Sequence, residues 1–155
     1  AHGDEGGRPV GRVSEERGPM TLKEALIRDE GLKLKPYADT TGHLTIGFGR
    51  NLSQAGISLA EAELFLDHDI QRATADVVAS LPWTIGLDEV RQEALINMAF
   101  NLGIGGLLEF RKMLAACQRG DWPTAAIEAL NSEWAQQVGD RAYRLSRQLE
   151  TGERV

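Results

Sequence analysis

The segment from Ser58 to Pro82 constrains this chain more than any other. Ser58 and Glu61 form a capping box, the reciprocal pair that satisfies free N–H groups at a helix start. Ala62, Phe65, Leu66, Ile70, Ala73 and Val77 follow at helical spacing on one face. Pro82 forbids continuation much beyond Ser80. At about 1.5 Å per residue this predicts a helix roughly 30 Å long, close to the diameter of a small domain. Such a helix is long enough to join two lobes. A chain of 155 residues supports one domain or two small lobes sharing a core.

A second stretch, Asp29 to Arg50, changes pattern part-way. Thr21 and Glu24 form another capping box, and Leu22, Ala25, Leu26 and Asp29 keep a helix period. Gly31 is a natural stop. Beyond it, Leu34, Tyr37, Leu44, Ile46 and Phe48 sit among Gly, Pro, Asp and Thr, which reads as short strands and turns. Glu30 is then the last helical residue. Asp39 falls in or beside a hairpin turn, and Thr45 on the return strand. A carboxylate at the carbonyl end of a helix is destabilised as an anion, so Glu30 is expected to titrate high. Asp39, beside Thr40 and Thr41, is expected to stay ionised. Two carboxyl groups separated in this way suit glycoside hydrolysis. Taken singly, both are also ordinary surface residues.

The remaining sequence supplies packing. From Ala94 to Leu102 a helix capped by Asp88 is apolar nearly all round, which marks it as buried, and Asn97 then needs an internal partner. Gly103 to Gly106 reads as a loop, followed by a helix from about Leu107 to Gln118 on which Cys117 is a small core residue. Asp121-Trp122-Pro123 starts another helix, with Asp as its cap. Trp134 is expected in the core rather than as a sugar platform. The last helix carries Arg141, Arg144 and Arg147.

Several function classes fall away. A net charge of −6 with no basic stripe argues against nucleic-acid binding. No stretch approaches the ~18 apolar residues of a membrane span. No apolar signal-peptide core precedes the first helix. Asp67-His68-Asp69 lies on a helix where adjacent positions do not share a face, and His2, His43 and Cys117 form no ligand spacing, so no metal site and no cofactor are expected. Residues 1–19, rich in Gly, Arg and Glu, read as a flexible tail, a linker or a remnant of recombinant expression, since Gly18-Pro19 before Met20 resembles a protease scar.

Glu30, Gly31, Leu32, Leu34, Tyr37, Asp39, Thr45, Ile46, Gly47 and Gly49 together resemble the active-site segment of the T-even phage lysozymes, glycoside hydrolase family twenty-four. Asp39 and Thr45 follow Glu30 by nine and fifteen residues, the intervals of that family's catalytic Glu, Asp and Thr. Ala94 to Gly103 is similar to the family's central helix. A third match runs from Ser132 through Trp134 to Arg141, Arg144 and Thr151-Gly152.

The resemblance implies an α+β, mostly α, two-lobe lysozyme fold over residues 20–155. A small N-terminal lobe with a short β-hairpin sheet would occupy 20–57, a connecting helix 58–81 and a helical C-terminal lobe 82–155. It implies a muramidase that cleaves the β-1,4 bond between N-acetylmuramic acid and N-acetylglucosamine in bacterial peptidoglycan, for cell lysis. Glu30 would be the acid, with Asp39 and Thr45 assisting attack by water, and inversion is favoured. Phe100, Asn101 and Arg50 would contact sugar. Arg141 would pair with Glu30, and Arg144 with Asp29. The implied protein is a monomer that waits in the host bacterial cytoplasm until it reaches the wall. The alternative is a non-catalytic wall-binding or scaffolding module on the same fold. Some positions depart from the family: Arg50 stands where His is common, Asn101 where Gln is frequent, and Thr41 and Glu133 replace the Glu and Arg of a cross-cleft ion pair. The acidic charge also departs, and gives little attraction to an anionic wall.

Overall fold

A computed structural model describes residues 18–155 of the chain. The tail reading lies, up to residue 17, outside the described residues, as does His2. The chain divides into two compact units, the first ending at Ile57 and the second running from Ser58 to Val155. The class is α+β and mostly helical, as expected.

The first unit opens with α1, Leu22–Glu30. Its capping box is formed: the Thr21 backbone N–H donates to Glu24 Oε2 at 2.7 Å, and the Glu24 N–H to Thr21 Oγ1 at 3.2 Å. Gly31, at φ 71°, ends the helix in a conformation that costs a residue with a Cβ much more. Strands β1 (Lys33–Ala38), β2 (Leu44–Gly47) and β3 (Arg50–Asn51) form an antiparallel sheet in that order. Tyr37 pairs with Thr45 and Ala38 with Leu44, while an irregularity lies between Lys33 and Tyr37. Pro36 falls inside it and has no N–H to give the ladder. A short helix α2, Leu52–Ala55, follows, capped by Asn51 Oδ1 on the Gln54 N–H at 3.1 Å. Strand β3 and helix α2 are too short to show a period, and they add to the expected hairpin.

The second unit begins with α3, Leu59–Ser80, whose capping box of Ser58 and Glu61 is also formed. A 3-10 turn at Pro82–Gly86 leads to α4, Glu89–Leu108, capped by Asp88. The loop expected at Gly103 to Gly106 is not one. Helical structure resumes after a single non-helical residue, Gly103 at φ 74° and ψ 161°. Then come α5 (Arg111–Gln118), α6 (Trp122–Leu130, capped by Asp121), α7 (Glu133–Val138, capped by Ser132) and α8 (Asp140–Thr151).

Leu95 and Met98 of α4, Met113 and Cys117 of α5 and Leu145 and Leu149 of α8 form the centre of the apolar core, with Val77 from α3. Burying each large side chain stabilises by about 1.5–3 kcal/mol. Ala125, Ala126 and Ala129 keep the buried face of α6 shallow, and the Ser146 hydroxyl of α8 donates to the Ala126 carbonyl at 3.0 Å. Arg91 ties α4 to the end of α8, donating to the Leu149 carbonyl at 2.8 Å, and its guanidinium lies 4.1 Å from the Trp122 ring centre. Of the apolar face expected on α3, only the C-terminal part is buried: Ala73 and Val77 are covered, while Phe65, Leu66 and Ile70 are exposed.

Candidate active site

Glu30 ends α1, where Gly31 turns the chain into β1. Its exposed side chain reaches the β2–β3 turn. A Cβ built on Gly49 would meet Glu30 Oε2 at 2.6 Å and Cδ at 3.0 Å. Gly49, at φ 76°, therefore serves twice: it permits the turn, and its bare backbone leaves room for the carboxylate.

Asp39 sits where β1 turns toward β2. Its N–H donates to the His43 carbonyl at 2.9 Å, and the Gly42 N–H closes back on the Asp39 carbonyl at 3.0 Å. Oδ1 accepts from the N–H of Thr41 at 2.9 Å, the N–H of His43 at 2.8 Å and the Thr41 hydroxyl at 2.7 Å. These donors favour the anion, the Thr41 hydroxyl most, and hold Asp39 below its ordinary value. Thr45 is the buried member of the group, at 4 % exposure, and donates its hydroxyl to the His43 carbonyl at 3.2 Å. Its proton used, the oxygen remains an acceptor. Arg50, in β3, donates to the Gly56 carbonyl at 3.3 Å. Asp29 pairs with its neighbour Arg28 at 2.7 Å. The first unit thus gathers Glu30, Asp39, Thr45 and Arg50 around one small sheet.

In the second unit, Asn97, Phe100 and Asn101 lie on α4, and Arg141 and Arg144 on α8. Arg141 donates to Asn97 Oδ1 from Nη2 at 2.8 Å and from Nε at 3.0 Å. Asn97 was expected to be buried, but it is exposed, so this is a surface bond between α4 and α8 and not an internal one. Asn101 Oδ1 accepts the Trp134 indole N–H at 2.7 Å. Trp134 is buried at 4 % exposure, as expected, and meets Phe110 edge-on with ring centres 5.9 Å apart. Phe100 and Arg141 line a groove of about 560 Å³ together with Leu66, Ile70 and Ile96. Arg144 is exposed.

Residues 28–150 match the family described as phage lysozyme. The chain belongs to that family. It is 33% identical to the pre-baseplate central spike protein Gp5 of Enterobacteria phage T4, over 94% of this chain and 30% of the spike protein. The chain therefore spans about a third of that relative. It is also 30% identical to the probable T4-type lysozyme 2 of Dictyostelium discoideum, over 85% of this chain and 95% of that protein. An endolysin of Acyrthosiphon pisum secondary endosymbiont phage 1 is 30% identical over 81% of this chain and 84% of its own length.

Sequence reasoning set Thr41 beside Asp39 as a polar neighbour but gave His43 no place at the site, yet both touch the Asp39 carboxylate or its donors. The signal was faint: a Thr and a His two and four residues after an Asp, in a turn whose form the sequence does not show. Burial pushes the Cys117 thiol up to about 11, so it is an inert core group. Among the described residues, no helix is long and apolar enough to cross a membrane, and no group of acidic, His or Cys side chains could hold a metal ion.

Proposed function

We propose that this chain is a peptidoglycan hydrolase that cleaves the β-1,4 bond between N-acetylmuramic acid and N-acetylglucosamine. Membership of the phage lysozyme family supports the reaction class. The observation that carries the assignment of residues is the contrast between the two carboxylates. Glu30 lies against a bare glycine turn, whereas Asp39 has one oxygen occupied by three donors that favour its charge.

In this reading Glu30 protonates the departing glycosidic oxygen. Asp39, kept ionised, stabilises positive charge on the sugar or helps activate water. The Thr45 oxygen accepts a hydrogen bond from that water and places it. The reaction inverts the anomeric centre. Arg50, Phe100 and Asn101 contact sugar. The substrate is bacterial wall, met by a monomer after release from the host cytoplasm.

The test is digestion of purified peptidoglycan, followed by turbidity and by reducing-end chemistry. New muramic-acid reducing ends, appearing first as the inverted anomer by proton NMR, are expected. Binding to peptidoglycan with no new reducing ends would instead identify a wall-binding module. Retention of configuration would reassign Asp39 as a nucleophile.

A further inference from the structure

The turn that carries Asp39 contains more hydrogen bonds than its shape requires. The N–H groups of Thr41 and His43 on Oδ1, and the N–H of Gly42 on the Asp39 carbonyl, already build it. Two side chains are added. The Thr41 hydroxyl lies 2.7 Å from Asp39 Oδ1, and the same oxygen lies 2.7 Å from His43 Nδ1. A threonine hydroxyl carries one proton. Once given to Asp39, that proton is spent, and the Thr41 oxygen can only accept. The proton in the second contact must then sit on His43 Nδ1. The three groups form a chain of fixed direction, His43 Nδ1–H to Thr41 Oγ1–H to Asp39 Oδ1. The other carboxylate oxygen, Oδ2, has the His43 ring nitrogen only at 3.8 Å, beyond hydrogen-bond range.

We infer that His43 is a positioning residue for Asp39, acting through Thr41 to lock the carboxylate with Oδ1 saturated and Oδ2 available to water or sugar. This rests on the reading of Asp39 as a group that acts on the reacting centre. Without the imidazole, the Thr41 hydroxyl loses the donor that fixes its own direction, and its proton need not stay on Asp39. Small losses of alignment at a reacting group lower turnover more than they lower binding.

The test has two parts, both on the full chain. Nitrogen-15 NMR of the His43 ring at a pH of about 8, above the ordinary His value of about 6.5, reads the tautomer directly. The proton is expected on Nδ1, and Thr41→Val should release it toward Nε2. A wild-type ring protonated on Nε2 would reverse the chain and overturn the inference, whatever the enzyme does. Kinetics on solubilised glycan strands form the second part. His43→Leu should lower kcat by roughly tenfold with KM little changed. His43→Asn, whose amide N–H group can take the place of Nδ1–H, should recover most of that loss. Equal impairment of both variants, or of neither, would contradict the positioning role. Asp39→Asn separates the two readings. If it stays fully active, the catalytic reading of Asp39 fails, and the inference built on it fails too. If it is inactive while His43→Leu is normal, only the inference fails.

Discussion

The two units of the molecule are built by different forces. In the second, a continuous apolar core from α3, α4, α5, α6 and α8 includes Leu95, Met98, Leu107 and Leu149, each fully buried. In the first, Thr45 is the one described residue that is buried, and it is polar. Its order comes from a capping box at Thr21, glycines at positive φ and the hydrogen bonds around Asp39. Glu30, Asp39 and Thr45 all lie in this polar unit. Directional bonds fix where a carboxylate points, while apolar packing fixes that the chain stays folded.

That contrast can be broken from the core side first. Leu95→Ala removes a side chain with no exposure from α4 and should cost about 2–5 kcal/mol, read as a lower denaturant midpoint. Hydrolysis per folded molecule should change little. Gly49→Ala is the opposite case. Its Cβ would collide with the Glu30 carboxylate, and its positive φ disfavours alanine, by roughly 1 kcal/mol or somewhat more. Activity should fall much further than stability, by about tenfold to a hundredfold, because the acid is displaced. Ser58→Ala, outside both core and site, should cost about 1 kcal/mol through loss of the α3 cap, with turnover unchanged.

The smallest effect is a pH dependence. Asp39 titrates lower folded than unfolded, so its contribution is present above the unfolded carboxylate value of about 3.9 and is lost as pH falls through the folded value. The melting difference between wild type and Asp39→Asn should narrow on acidification across that range. A difference that widens instead would mean that burial, not hydrogen bonding, dominates at Asp39.

What was legible in the sequence follows the same division. The caps at Thr21, Ser58, Asp88 and Asp121 are local, so a few adjacent letters reveal them. Asn97 was read as buried because its neighbours are apolar, yet it is exposed, and the residue it bonds, Arg141, is 44 residues away. The Asn101 bond to Trp134 spans 33 residues and leaves no trace in spacing. Gly103 shows the limit within a helix: four residues rich in glycine read as a loop, yet one non-helical residue was enough. The Glu30, Asp39 and Thr45 spacing was readable because one helix end and one hairpin set it. The link from Asp39 through Thr41 to His43 was not, since it depends on the turn's conformation.

The claim that chemistry and stability reside in separate units is tested most directly by Glu30→Gln, with hydrolysis and thermal midpoint measured on the same sample. Glu30 is exposed and outside the apolar core, so the midpoint should match wild type within about 1 °C, in line with the small effects of surface substitutions. Release of muramic-acid reducing ends should fall by roughly a hundredfold to ten-thousandfold, the range for removal of a general acid. A variant that melts normally and still cleaves at the wild-type rate would contradict the account.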